Sequence, residues 1–179
     1  MIVSAVAFAV TKAVHHDATA PAVTLPPAST VLGAGARAPE QFTLPSLGGG
    51  PAISLASVLD GRPAVINFFA SWCPVCKAEL PAFAQASSNY GSRVAFVGVD
   101  TYDASPRAAL ALARASRVRY PLMDDTAAQR MRAAYGVGNG LPVTFVIDRT
   151  GHVRWEVLGQ VTKATLASEL APLLARGRH

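Results

Sequence analysis

Three runs of nearly unbroken apolar residues constrain this chain most: Ala64-Val65-Ile66-Asn67-Phe68-Phe69, Val94–Val99 and Val143–Ile147. A strand with one face in water alternates apolar and polar residues. A β-branched or aromatic run without that alternation belongs in a sheet covered on both faces. The intervening stretches carry helix patterns. Lys77–Asn89 is rich in Ala, Leu, Glu and Gln, Ser105-Pro106 opens a segment to about Ser116, and Asp124-Asp125 opens another over about Ala127–Tyr135. Tyr120–Met123 reads as extended. Asp148-Arg149-Thr150-Gly151 is a hairpin turn into a strand at Val153–Leu158, and Thr162 caps a last helix from Lys163 to about Ala175. Strands that alternate with helices and end in a hairpin predict an α/β fold, with a central mixed β-sheet flanked by helices on both faces. The 179 residues, 51% of them hydrophobic, suffice for one domain with its own core.

That domain is expected over 37–179. Residues 1–14 are almost wholly apolar, broken only by Ser4, Thr11 and Lys12, and read as the remnant of a signal or membrane anchor. The stretch is too short to span a bilayer, which takes about 20 residues. Residues 15–36 hold Pro21, Pro26, Pro27, Gly33 and Gly35 among Ala, Ser and Thr, the composition of a linker. An apolar segment, a linker and a domain make the layout of a tethered extracytoplasmic protein. At the domain's start, Phe42–Leu44 and Ile53–Leu55 flank the turn Gly48–Pro51 as a short strand pair. Ser54 or Ser57 caps a short helix through Leu59.

The first apolar run leads directly into Trp72-Cys73-Pro74-Val75-Cys76, which holds both cysteines of the chain. They stand where a strand gives way to a helix. With Cys73 at the N-cap and Pro74 at the first helical position, the Cys73 sulfur faces the free N–H groups of the first turn. The helix dipole favours a thiolate there and lowers its pKa below the roughly 8.5 of a free cysteine. Cys76 lies on the same face one turn on, within disulfide reach. The pattern makes Cys73 an exposed nucleophile and Cys76 a resolving thiol behind it. A purely structural disulfide would close a very short loop and gain little. A zinc site would need further ligands from His15, His16, His152 and His179, three of them in the tail or at the terminus. No metal or organic cofactor is expected; the redox group is the Cys73–Cys76 pair itself.

Trp72-Cys73-Pro74-Val75-Cys76-Lys77 after an apolar strand resembles the active site of the thioredoxin superfamily. Further stretches are similar to its TlpA/ResA/DsbE-like branch of extracytoplasmic thiol-disulfide oxidoreductases: Ala38–Pro45, Asn67–Cys73, Cys76–Pro81 and Gly140–Asp148. The resemblance runs from about Arg37 to the end of the chain. It implies a thioredoxin fold with an N-terminal strand or hairpin extension, and a cis Leu141–Pro142 bond packed beside the disulfide. The Leu141 backbone would there pair with an incoming substrate like an added strand. It gives Glu79 the role of a carboxylate near the thiols that tunes their pKa values and shuttles a proton; read from the helix alone, Glu79 only complements the dipole. Trp72 is expected to shield the site. Asn67 departs from the buried Asp of thioredoxins proper and cannot titrate, which leaves Glu79 as the proton-transfer candidate. Pro81 resembles the kink of thioredoxin-like active-site helices.

The resemblance implies that Cys73 attacks a client disulfide and Cys76 resolves the mixed disulfide, reducing exported proteins. Clients such as apocytochrome c, as in cytochrome c biogenesis, and an upstream membrane thiol reductant or oxidant would be the partners. The location would be the bacterial periplasm or cell envelope, membrane-anchored or secreted. Two other functions fit the same cysteines: a disulfide-donating oxidant, and a metallochaperone using Cys73, Cys76 and His152. A peroxidase would require a Pro-x-x-x-Thr-x-x-Cys pattern, which does not surround Cys73. The net charge of +5 comes mostly from arginine, and Arg107, Arg114, Arg117, Arg119, Arg130 and Arg132 crowd the middle of the sequence. They read as a solvated helical face or as a docking surface for an acidic partner. No aromatic-interleaved basic motif points to nucleic acid.

Overall fold

The computed structural model describes residues 32–175. The apolar segment 1–14 and most of the linker lie outside the described residues.

The first apolar run forms β3 (Ala64–Phe69), the centre of a five-stranded sheet in the order β5-β4-β3-β6-β7. β4 (Ala95–Asp100) and β5 (Leu122–Asp124) lie parallel to it on one side. β6 (Val143–Ile147) and β7 (Val153–Leu158) continue antiparallel on the other. Every residue of β3, β4 and β6 is buried, as their unbroken apolar runs require. The parallel pairs need crossovers, supplied by α2 (Pro74–Tyr90) and α3 (Pro106–Ala115). The antiparallel pair β6–β7 needs only the turn at Asp148–Gly151.

Alternate side chains of the strands feed two cores. One face carries Ile66, Phe68, Val97, Val99, Phe145 and Ile147 against α1 (Leu55–Leu59), α4 (Arg130–Ala134) and the N-terminal extension. The other carries Val65, Phe96 and Val146 against Phe83 and Ala86 of α2 and Leu166 and Leu170 of α5 (Lys163–Ala175). Among the described residues no helix is long and apolar enough to cross a membrane.

The extension forms the expected hairpin, β1 (Thr43–Leu44) antiparallel to β2 (Ile53–Ser54), with Ser54 capping α1. It also covers both sheet edges, which the sequence did not disclose. Asp124 N–H donates to Pro45 O and Leu47 N–H to Leu122 O, each at 2.9 Å, so residues 45–47 run along β5. At the opposite edge, Gly35 N–H donates to Val153 O at 2.7 Å and Val153 N–H to Ala36 O at 2.9 Å. Unpaired strand edges invite aggregation, and this strap shields them. The chain is therefore hydrogen-bonded to the domain from Leu32 onward, several residues before Arg37.

α4 begins at Arg130, later than the expected Ala127. The Asp125 carboxylate accepts the N–H groups of Met131 and Arg132, and Gln129 adopts a left-handed conformation, so the residues between are held out of the helix.

Candidate active site

β3 delivers the cysteines to one end of the sheet. Cys73 is the N-cap of α2, with extended backbone angles (φ −75°, ψ 115°) and Pro74 following in the first turn. Its Sγ accepts the Cys76 N–H at 3.1 Å, the contact that favours a thiolate once the pair is reduced. Cys73 and Cys76 are disulfide-bonded, their Cα atoms 5.3 Å apart.

Cys73 is less exposed than the sequence predicts, at 3%, with Cys76 at zero. The cover comes from other parts of the chain. Leu47 of the extension and Ala109 of α3 share a cluster with both cysteines, Phe69 and Leu80, and Leu141 packs against it. The reactive face is narrow, and exposed apolar side chains flank it. Trp72 is 56% exposed, Val75 38% and Leu158 63%. Leu158 ends β7 opposite Val143 and fills the space a side chain at Gly140 would take, so it lies beside the loop carrying Leu141 and Pro142. The Leu141–Pro142 peptide is cis, and Pro142 directly precedes β6.

Glu79 is no surface acid complementing a dipole: it is 1% exposed. One turn beyond Cys76 on the same helical face, it accepts the Asn67 amide N–H at 2.8 Å on Oε1 and the Val161 N–H at 3.0 Å on Oε2. Asn67 also donates to the Thr144 hydroxyl at 3.1 Å. Burial pushes the Glu79 pKa up to about 7 and outweighs the two hydrogen bonds, which pull it down. A carboxyl poised near neutrality beside the buried cysteine suits proton transfer. The sequence named Glu79 and Asn67 singly; Thr144 and Val161, from β6 and the segment before α5, complete the set through tertiary contact alone.

Trp72 leans on the loop after β4. Its indole N–H donates to Tyr102 O at 3.3 Å, and its ring lies tilted on that of Tyr102 at 6.5 Å. The Tyr102 hydroxyl donates to Gly138 O at 2.9 Å, joining this loop to the one that ends at Pro142. The Arg132 guanidinium packs over the Tyr102 ring and bonds its hydroxyl. No local motif marked Tyr102.

His152 does not join the cysteines. It stands before β7, at the sheet end opposite Cys73, pairing with Arg37 and contacting Thr150 Oγ1 at 2.9 Å. Among the described residues no three His, Cys, Asp or Glu side chains converge on a metal-sized site. The arginines do not form one patch either. α3 shares the cysteine-side cluster, whereas α4, with Arg130 and Arg132, packs on the other face. Arg117 and Arg119 line a hollow of about 640 Å³ along the flank of α2 with Pro81, Gln85 and Ser88; neither cysteine borders it.

Comparison with known proteins agrees with this geometry. Residues 34–156 match the AhpC/TSA family. The chain is 30% identical to the thiol:disulfide interchange protein DsbE of Allochromatium vinosum over 139 residues, 78% of this chain and 74% of the relative. It is likewise 30% identical to the thiol:disulfide interchange protein HelX of Rhodobacter capsulatus, over 79% of this chain and 77% of the relative. Among solved structures, a secreted Mycobacterium tuberculosis disulfide oxidoreductase homologous to E. coli DsbE superposes with a TM-score of 0.66 at 27% identity, covering 74% of this chain and 96% of that one. A thioredoxin fold, a helix-capping Cys-Pro-Val-Cys pair and these relatives converge: the chain belongs to the AhpC/TSA family, and it is a thioredoxin-like thiol-disulfide oxidoreductase.

Proposed function

We propose that this oxidoreductase works as a reductase of disulfides in exported proteins, with clients that include apocytochrome c thiols. The observation that carries the proposal is the placement of Cys73 at the head of α2 with Glu79 buried one turn behind Cys76. The Cys73 thiolate attacks one sulfur of the client disulfide. The client S–S bond breaks, a Cys73–client bond forms, and the leaving thiolate takes a proton. Cys76, deprotonated by Glu79, attacks the Cys73 sulfur and releases the second client thiol. The client gains two electrons, and Cys73–Cys76 ends oxidised. A membrane thiol carrier must then reduce it again. The redox group is the dithiol itself, with Glu79 moving only a proton.

Docking is assigned to the rim. Trp72, Val75 and Leu158 offer apolar contact around the sulfur, and Leu141 offers a backbone edge to an extended client segment. An extracytoplasmic location, with tethering through the N-terminal apolar segment, fits the composition of that segment and the secreted relative.

The test is trapping. In Cys76→Ser the mixed disulfide has no resolving thiol, so covalent client adducts accumulate on Cys73 and disappear with reductant; Cys73→Ser yields none. Non-reducing gels and mass spectrometry read the result, and an adduct-free Cys76→Ser would overturn the assignment. The reduction potential fixes the direction. A value near roughly −270 mV supports a reductase, whereas one near roughly −120 mV makes the protein a disulfide donor.

A further inference from the structure

Residues 100–103 carry two carboxylates to which the exchange chemistry above gives no part. Asp103 is 7% exposed. Its Oδ2 accepts the Ser71 N–H at 2.7 Å and its Oδ1 the Ser71 hydroxyl at 2.6 Å. Ser71 stands two residues before Cys73, so this carboxylate grips the turn that presents the sulfur. Asp100, wholly buried, lies behind it. Its Oδ1 accepts the Asp103 N–H at 3.4 Å, and its Oδ2 is buried with no donor to meet it. The Asp103 carboxylate adds a like charge beside it. Burial without a donor, next to a like charge, favours the protonated form of Asp100.

Among the described residues no cation is paired with either carboxyl. Asp124 of β5 faces Asp100 in register and adds a like charge. The Asp125 carboxylate is turned to the N–H groups of Met131 and Arg132. Arg132 is engaged with Tyr102 and Val137 O. Burial first, then the charge of Asp103, raises the Asp100 pKa to about 7.

We propose that Asp103 is a positioning residue for thiol–disulfide exchange, latching Ser71 and through it Cys73, and that a protonated Asp100 keeps the latch closed. When Asp100 loses its proton, its charge repels the Asp103 carboxylate and the grip on Ser71 slackens. Electron flow is that of the exchange already written; only a proton leaves Asp100 for solvent. The inference rests on exchange at Cys73 and not on its direction in the cell.

The experiment measures the second-order rate at which glutathione disulfide oxidises the reduced protein, followed by tryptophan fluorescence from about pH 5 to about pH 9. Asp100→Asn and Asp103→Asn are compared with the parent as a rate ratio at each pH, so the titration of the thiols themselves cancels. Asp100→Asn mimics the protonated acid and stays neutral, so its ratio is about one at low pH and climbs above one as the pH passes about 7. Asp103→Asn loses an acceptor, so its rate is down about 10-fold at low pH, and its ratio rises toward one over the same range as the parent's own latch opens. Ser71→Ala, which removes one of the two bonds, lowers the rate in the parent background and changes it less than about 2-fold in Asp103→Asn. Ratios that stay flat with pH in both aspartate variants, the mark of a merely structural role, would overturn the latch. So would an Asp100→Asn that loses activity in step with Asp103→Asn. An unreactive parent would instead refute exchange at Cys73, a different failure with its own signature.

Discussion

At the scale of single residues, the site buries one carboxylate a helical turn from the resolving thiol. Glu79 is held by the Asn67 amide and the Val161 N–H, yet burial sets its pKa near 7. Glu79→Gln retains the shape and one hydrogen-bond acceptor and removes the titration. If Glu79 deprotonates Cys76, this variant forms the mixed disulfide at the parental rate but resolves it about 100-fold more slowly. The parent's pH dependence of resolution near 7 is lost as well. Rapid-quench separation of the two steps checks this; equal slowing of both would remove Glu79 from the proton path. The cysteines and Pro142 were legible in the sequence because each sits in a short contiguous pattern whose chemistry is local, a helix cap and a proline at a strand start; Glu79 was singled out through the family resemblance, since the helix alone suggested only an acid complementing the dipole. Ser71, Tyr102 and Asp103 were not legible, because their meaning lies in contacts between segments thirty or more residues apart.

At the scale of elements, hydrophobic pattern was enough for the sheet and its helices. β3 and β6, buried on both faces, lie on the expected residues, β4 sits one residue later at Ala95–Asp100, and the half-exposed β7 is placed by the hairpin turn before it. The burial of Cys73 escaped that reading. It depends on Leu47, which reaches the cysteines only because residues 45–47 pair along β5. This gives the extension a task beyond covering an edge. Leu47→Ala should lower the unfolding free energy by about 2–4 kcal/mol and also change the rate of exchange with glutathione disulfide. Leu44→Ala removes the same atoms from the opposite core, and should destabilise comparably while leaving the exchange rate alone. Urea titration and stopped-flow fluorescence measure the two effects. Identical exchange rates in both variants would confine Leu47 to a packing role.

At the scale of the whole molecule, the buried acids give the fold a pH dependence of definite sign. Glu79 and Asp100 hold their protons to about pH 7 in the native state, against ordinary values of 4.5 and 3.8 that apply once unfolded. Asp125 is raised in the same direction, by burial. Between those limits the native state binds more protons than the unfolded chain, so stability falls as the pH rises. The favourable contribution is fully present below about pH 4 and gone once the pH has passed about 7. Asp148 has the opposite sign. Burial is the largest single effect and pushes its pKa up, but the hydrogen bonds from Thr150, His152 and Arg154 together prevail and hold it to about 2, so its contribution is present above about pH 4 and fades toward pH 2. The two trends place the stability maximum on the acid side of neutrality. The oxidised protein should therefore show a higher urea midpoint at about pH 5 than at about pH 8, with roughly 3 kcal/mol at stake for each of Glu79 and Asp100. Glu79→Gln combined with Asp100→Asn should flatten the curve and leave the double variant the more stable protein at pH 8. A midpoint that holds level in the parent, or rises, would mean that water or local rearrangement solvates these carboxylates. The same result would remove the electrostatic ground for proton transfer by Glu79 and for the Asp100–Asp103 latch together.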